Sequence, residues 1–329
     1  MTVESGQPGL WRRFTAGARN QVSGSAGDVI FRLVALAFTL IILALAGSLV
    51  FTVWDGARPS IGEFGFFGFM STEEWNPVFG EFGARHIILG TLVSSLIAVI
   101  LAVPVALGIA LFITELAPPS LRGPVAFIID ILAAIPSIVY GLWGMMVLVP
   151  FIAGNLNDPL IDYLGWTPFF GRPAFGLSLL AAGIILAIMI VPIISAVARE
   201  IIYSVPAAQK EGMLALGATR WEVMWKVVLP YARVGIVGAI ILGLARAIGE
   251  TMAVTMVIGN AGYFVANLLA PSATMASLIA NEFREAGTSL HVSALIHVGL
   301  VLMIVSLIVN IAARLLVWSV ATGPSGDRR

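Results

Sequence analysis

The sequence contains no cysteine and only three histidines, His86, His291 and His297, among its 329 residues. Without cysteine the chain can form neither disulfides nor thiolate metal sites, and three scattered histidines offer no cluster of metal ligands. Charged residues are also scarce, at 11% of the chain, and the formal net charge is zero. The overall charge therefore points to no particular partner, and we expect no nucleic-acid partner and no metal.

Apolar residues dominate what is present. They make up 59% of the chain, which leaves too little polar surface to cover a soluble domain. Six apolar runs reach the length of about 20 residues that a membrane-crossing helix needs. They cover residues 29–53, 87–113, 125–151, 175–197, 234–258 and 292–317. The sequence thus predicts an all-α polytopic membrane protein with six transmembrane helices.

The distribution of basic residues predicts the orientation in the membrane. With the N-terminus inside, thirteen of the 18 Lys and Arg residues fall on the cytoplasmic side, four in the outer loops, and Arg246 inside a span. Cytoplasmic loops carry an excess of Lys and Arg, so both termini are predicted to be cytoplasmic. We expect a cytoplasmic N-terminal segment (1–28), a membrane domain (29–318) and a cytoplasmic tail (319–329).

Residues 211–230, EGMLALGATRWEVMWKVVLP, form a polar segment between two apolar runs on the predicted cytoplasmic side. Pro206 suits a first helical turn, which predicts a helix over 205–216. Gly217 permits a turn, and Thr219 with Glu222 three residues later is a capping-box pattern that starts a second short helix. We call residues 205–230 the coupling segment.

Two interpretations of the coupling segment remain open. As a docking knob it would offer apolar side chains to a partner's groove, namely Leu214, Leu216, Trp221 and Met224. As an amphipathic loop it would lie on the anionic inner leaflet, for which its basic and aromatic residues are suited. The latter set is Lys210, Arg220, Trp221, Trp225 and Lys226.

Two charges lie in the middle of the predicted fifth span. Arg246 and Glu250 are four residues apart, which would place them on one face of a helix. An unpaired charge at the membrane centre costs roughly 2.5–3.5 kcal/mol, so a role in substrate passage is the working hypothesis. Arginine presents a fork of donors that matches a tetrahedral oxyanion. The alternative is a structural ion pair that joins helices.

Several polar and helix-perturbing residues accompany these charges. Ser137, Tyr140, Thr251 and Thr255 are candidates to line the substrate path, although Ser and Thr commonly bond to their own helix. Pro104, Pro136 and Pro192 predict kinks in spans two, three and four. Gly141 and Gly144 predict close helix packing. Asp130 is more typical of a structural carboxylate.

The third outer loop contains apolar residues at helical spacing between positions 274 and 286, which predicts a short amphipathic helix. That helix could contact an extracytoplasmic binding protein or could cap the helix bundle. The chain has no G-x-x-x-x-G-K-[ST] loop, so any ATP hydrolysis has to be supplied by another subunit.

The coupling segment resembles the cytoplasmic loop of ABC-importer permeases. Glu211, Gly217, Val227, Leu229 and Pro230 fall at the spacing of that loop, while Gly212 and Met213 replace its usual pair of alanines. WNPVFGEFG (75–83), GTLVSSLIAVILAVPVALGIA (90–110), LAAIPSIVYGLWG (132–144) and RAIGETMAVTMVIGN (246–260) resemble the permease subunits of phosphate-specific ABC importers.

This resemblance implies a type I permease fold in a bacterial plasma membrane and no enzymatic activity of the chain itself. It implies a second homologous permease, two ATPase subunits that bind ATP and Mg, an extracytoplasmic phosphate-binding protein, and no cofactor on this chain. It also implies that Arg246 and Glu250 matter for phosphate passage. The coupling residues would be Glu211, Gly217, Ala218, Thr219, Trp221, Leu229 and Pro230.

Three other functions stay open. A permease for molybdate, sulfate or phosphonate would share the coupling segment, and anion competition would distinguish it. An ion-coupled secondary carrier or channel would transport without ATP. A polytopic membrane enzyme would need a nucleophile and base or a metal cluster in its spans, and the sequence presents neither pattern.

Overall fold

The computed structural model describes residues 26–321, which are mostly helical. The helices are α1 (Ala26–Phe64), α2 (Phe66–Ser71), α3 (Arg85–Leu111), α4 (Pro119–Ala134), α5 (Ser137–Trp143), α6 (Val149–Phe151), α7 (Asn157–Leu164), α8 (Leu179–Tyr203), α9 (Ala207–Ala215), α10 (Arg220–Val223), α11 (Leu229–Ile248), α12 (Met252–Val257), α13 (Met275–Glu282) and α14 (Ser289–Ala321). Four π-helical turns, Phe112–Leu116, Gly144–Leu148, Ile152–Leu156 and Met224–Val228, continue or join them. One antiparallel hairpin pairs β1 (Trp75–Asn76) with β2 (Glu81–Phe82).

Six helical segments in the described part of the chain are long and apolar enough to cross a membrane, which confirms the predicted number. They are Gly27–Phe64, Arg85–Leu116, Ser137–Leu164, Leu179–Tyr203, Arg220–Ile248 and Ser289–Leu315, here spans 1 to 6. Among the described residues, those up to Asp55 form one compact unit and those from Gly56 onward form another. The predicted terminal segments, 1–28 and 319–329, lie mostly outside the described residues.

The predicted limits of the third span, 125–151, are wrong. Helix α4 ends at Ala134, Ile135 is extended with φ −67° and ψ 128°, and a new helix begins at Ser137. Pro136 has no N–H to donate and disfavours helical geometry at the residue before it, so it breaks the helix instead of kinking it. Pro104 and Pro192, by contrast, lie inside the continuous helices α3 and α8.

The predicted limits of the fifth span, 234–258, are also wrong. Helix begins at Arg220 and passes through a π-helical turn into α11, which ends at Ile248. The second helix of the coupling segment is therefore not a separate short helix but the first part of span 5. Residues 249–251 then interrupt the helix before α12.

Small residues let the central helices approach closely. Ala98, Ala102, Ala106 and Ala110 are fully buried and recur every four residues along α3, which forms a stripe on one helix face. On the facing helix α8, a Cβ added at Gly183 would lie 2.4 Å from Cγ2 of Ile97. Membrane helices commonly associate through such small residues. The same apolar core includes Ala247 of α11, the residue that follows Arg246 in the chain.

A polar network joins the hairpin to two helices. The Trp75 indole N–H donates to Oε2 of Glu282 at 2.8 Å, and Nε2 of His291 lies 2.9 Å from the same oxygen. Glu282 ends α13, whose N-terminus Thr274 caps, so the amphipathic helix predicted in the third outer loop is confirmed over Met275–Glu282. The hairpin was not predicted, although Asn76, Pro77 and Gly80 are turn residues.

Candidate functional site: a helix break and the coupling segment

The first candidate site is the interruption between α11 and α12. Arg246 lies two residues before the end of α11, and Glu250 lies beyond it. The expectation that both share a continuous helix is therefore wrong. They nevertheless form an ion pair, with 3.5 Å between a guanidinium nitrogen and Oε2 of Glu250. The Glu250 side chain is 5% exposed and that of Arg246 is 52% exposed.

Both carboxylate oxygens of Glu250 have a partner. Oε2 faces Arg246, and Oε1 accepts the backbone N–H of Ala253 at 3.4 Å in the first turn of α12. A buried carboxylate needs such partners because its desolvation is costly. Glu250 thus holds the guanidinium and the start of the next helix together, while half of the Arg246 side chain stays exposed.

The helix that follows Pro136 packs against the helix that follows Glu250. A Cβ added at Gly141 of α5 would lie 2.9 Å from Cα of Ala253, and one at Gly144 would lie 2.9 Å from Cγ1 of Val257. Because the later glycine contacts the later residue, α5 and α12 run parallel. The close packing predicted for both glycines is confirmed.

The remaining path candidates make local hydrogen bonds. Tyr140 is buried and its hydroxyl donates to the carbonyl oxygen of Leu132 at 2.7 Å, across the break at Pro136. Thr251 donates weakly to the carbonyl of Gly249 at 3.5 Å, and Thr255 donates to the carbonyl of Thr251 at 2.8 Å. Ser137 is partly exposed. A role of these residues in the substrate path stays a prediction.

The second candidate site is the coupling segment, which contains the predicted helix and glycine turn. Helix α9 ends at Ala215, and Gly217 adopts φ +85°, a left-handed conformation in which glycine has no steric cost. The N–H of Gly217 donates to Leu214 and that of Ala218 to Met213. These two bonds form a Schellman motif, which satisfies the last carbonyls of the helix and reverses the chain.

The predicted capping box after this turn is confirmed. The Thr219 hydroxyl accepts the N–H of Glu222 at 3.3 Å, and the Glu222 carboxylate accepts the N–H of Thr219 at 2.9 Å. The π-helical turn Met224–Val228 follows, immediately before Leu229 and Pro230. Proline at position 230 cannot donate to the carbonyl four residues earlier, which is consistent with a wider turn at this point.

Three of the four apolar side chains predicted to be available to a partner are exposed. Leu216 is 86% exposed, and Leu214 and Trp221 are also exposed. Met224 is buried, so its expected availability to a partner is wrong. Glu211 is exposed on the surface of α9.

Sequence reasoning missed one contact of the coupling segment. Lys210 of α9 forms an ion pair with Glu115, in the π-helical turn that ends span 2. Two sequence features could have indicated this pair: the carboxylate of Glu115 at the end of an apolar run, and Lys210, which is one of only two lysines in the chain. A second ion pair joins Asp130 of α4 to Arg199 of α8 at 3.3 Å, which supports the structural interpretation of Asp130.

Comparison with known proteins fits this arrangement. Residues 102–321 match the family model described as "Binding-protein-dependent transport system inner membrane component". The chain belongs to this family. It is also 46% identical to the phosphate transport system permease protein PstC of Pasteurella multocida, over 94% of this chain and 97% of that protein. The PstC of Xylella fastidiosa strain Temecula1 is 45% identical over 92% of this chain and 94% of that protein.

The PstC group is thus the part of the family to which the chain belongs. As a member, it is an inner membrane subunit of a transport system and not an enzyme. The probable phosphate transport system permease protein PstC of Methanocaldococcus jannaschii is 36% identical over 85% of this chain and 90% of that protein.

Solved structures confirm the type I ABC importer permease fold. A chain of a bacterial alginate ABC transporter, crystallised with an alginate-bound periplasmic protein, aligns with a TM-score of 0.61 over 97% of this chain and 99% of that chain. A chain of the MetNI methionine ABC transporter aligns with a TM-score of 0.53 over 72% of this chain and 95% of that chain. Both are 18% identical, so they show the fold alone.

Proposed function

We propose that this chain is a permease subunit of an ATP-driven importer of inorganic phosphate. The observation that carries the proposal is its identity of 46% with a phosphate transport permease over nearly the full length of both chains. In this proposal the chain forms half of the translocation pathway, and a second homologous permease forms the other half.

The pair of Arg246 and Glu250 would act on phosphate in the pathway. The half-exposed guanidinium has donors available for a tetrahedral oxyanion, and its position is held by the buried carboxylate. A protonated phosphate can donate a hydrogen bond to a carboxylate, whereas fully deprotonated sulfate cannot and is repelled by it. This chemistry supports phosphate over sulfate. Ser137, Tyr140 and Thr251 are proposed to belong to the same pathway.

The coupling segment would receive an ATPase on the cytoplasmic side. Exposed Leu216 and Trp221, which lie beside the Schellman turn, suit insertion into a groove of a partner. Glu211, Gly217, Ala218, Thr219, Leu229 and Pro230 complete the proposed coupling set. Two ATPase subunits would bind ATP and Mg, while the opposite face would receive phosphate from an extracytoplasmic binding protein.

Reconstitution tests this proposal. The chain would be purified with its co-eluting subunits and placed in proteoliposomes, and uptake of radiolabelled phosphate would be measured with ATP and a phosphate-loaded binding protein. We expect ATP-dependent uptake that a tenfold excess of unlabelled phosphate inhibits and an equal excess of sulfate or molybdate does not. Arg246→Lys should slow uptake by about tenfold or more, because lysine lacks the planar fork of donors.

Two variants separate the pathway from coupling. Gly217→Arg should abolish co-elution of the ATPase because an arginine is strained at φ +85° and adds bulk to the proposed interface. Arg246→Lys should leave co-elution intact. Uptake that proceeds without ATP, or that sulfate inhibits as strongly as phosphate, would contradict the proposal and favour a secondary carrier or a permease for another oxyanion.

A further inference from the structure

Helix α9 of the coupling segment has few attachments to the rest of the protein. No residue of this helix is buried, and its outward residues Glu211, Leu214 and Ala215 are exposed. Met213 is partly buried against the apolar cluster that contains Ala110 and Val223. Lys210 lies three residues earlier, on the same helix face as Met213.

Lys210 supplies the polar attachment on that face. Its Nζ pairs with Oε1 of Glu115, and the two side chains are only 20% and 17% exposed. Solvent screens such a shielded pair much less than a fully exposed one. The pair Lys226–Glu222 in the same segment differs, since its side chains are 64% and 40% exposed and both belong to one stretch of helix.

Glu115 connects this attachment to the centre of the protein. It lies in the π-helical turn that directly continues α3, the helix whose alanine stripe packs in the central core. That core also contains Ala247, the neighbour of Arg246. A displacement of α9 that pulls on Glu115 therefore acts on a tightly packed helix, and packed cores transmit strain instead of absorbing it.

We propose that the Lys210–Glu115 ion pair is the link through which the coupling segment moves span 2. Lys210 and Glu115 are then positioning residues, which contact neither phosphate nor nucleotide. They transmit the displacement of α9 to the helix beside the Arg246–Glu250 pair. This inference rests on the proposed function, because it requires an ATPase that moves α9.

The test uses the complete transporter reconstituted in proteoliposomes. Glu115→Gln keeps the size of the side chain and removes its charge; Glu115→Lys places two like charges together. We expect the ATPase to remain bound and its hydrolysis rate to stay within about twofold, while phosphate transported per ATP falls by about fivefold or more. Adding Lys210→Glu to Glu115→Lys restores an ion pair with reversed polarity and should recover transport per ATP.

Asp158→Asn is the matched control, because it breaks the exposed pair of Asp158 and Arg172, whose side chains are 73% and 74% exposed. Transport per ATP should not change in this variant. Transport per ATP at the wild-type level in both Glu115 variants would overturn the inference alone, as would a failure of the reversed pair to recover it. Absence of ATP-dependent phosphate uptake in the wild-type transporter would instead overturn the proposed function, and this inference with it.

Discussion

At the scale of single residues, Glu250 has two separable roles. Its charge faces Arg246, and its Oε1 accepts the N–H of Ala253 at the start of α12. The sequence spacing alone indicated the ion pair but placed it inside a regular helix. In the structure the carboxylate also connects two helices, which explains why a buried charge is retained at an interruption of the chain.

Substitution at position 250 should separate these roles. Glu250→Gln keeps an oxygen that can accept the Ala253 N–H, so we expect a melting temperature near that of the wild type and phosphate uptake lowered by about tenfold or more. Glu250→Ala removes the acceptor as well and should cost roughly 1 kcal/mol further, as the loss of a helix cap does. Thermal unfolding in detergent and uptake in proteoliposomes measure the two effects.

Asp162→Asn, at an exposed carboxylate of α7, is the control and should change neither quantity. Full uptake activity in Glu250→Gln would mean that the pair is purely structural, which is the alternative that the sequence left open.

At the scale of elements, the two helix interruptions are set by different local chemistry. Pro136 forces a break because it lacks a donor and restricts Ile135, whereas the break at residues 249–251 combines Gly249 with the capping carboxylate of Glu250. Packing between helices then decides which elements around the two interruptions lie together. Gly141 lets α5 lie against α12, so that the helices that follow the two interruptions pack together.

A methyl group at position 141 should disturb this packing. In Gly141→Ala the new Cβ would lie 2.9 Å from both Cα of Ala253 and Sδ of Met256. The methionine can move but the backbone of α12 cannot, so we expect a loss of roughly 1–3 kcal/mol of stability. Thermal unfolding of the purified chain in detergent measures this loss.

Gly108→Ala is the matched control, since a Cβ there meets nothing within 4 Å and the position is helical. Alanine is a better helix former than glycine, so this variant should be neutral or more stable by up to about 1 kcal/mol. Equal behaviour of the two variants would contradict the close contact between α5 and α12.

At the scale of the whole molecule, the orientation in the membrane follows from the basic residues and stays a prediction. Val78 at the hairpin tip is 88% exposed, and Leu216 in the coupling segment is 86% exposed. If both termini are cytoplasmic, these two positions face opposite sides of the membrane. The absence of native cysteine makes the chain suited to labelling at a single introduced thiol.

Single cysteines at these positions should report the orientation. The cells express the chain without the ATPase, because the proposed ATPase contact would cover position 216. A membrane-impermeant maleimide applied to such cells with an intact inner membrane should label Val78→Cys and should label Leu216→Cys only after that membrane is permeabilised. The reverse pattern would place the coupling segment outside, where no ATPase could reach it, and would contradict the proposed function. The cysteine-free chain serves as the unlabelled control.

The sequence by itself determined the features that depend on neighbouring residues. Long apolar runs set the number of spans, the Thr219–Glu222 spacing set a capping box, and Gly217 set a helix-terminating turn. Each depends on composition or on hydrogen bonds within a few positions, so a local pattern is sufficient. Only the tertiary structure decided the packing of α5 against α12 and the pairing of Lys210 with Glu115, 95 positions apart. Those features depend on which helix faces pack together, and packing is decided by steric fit between residues distant in the chain.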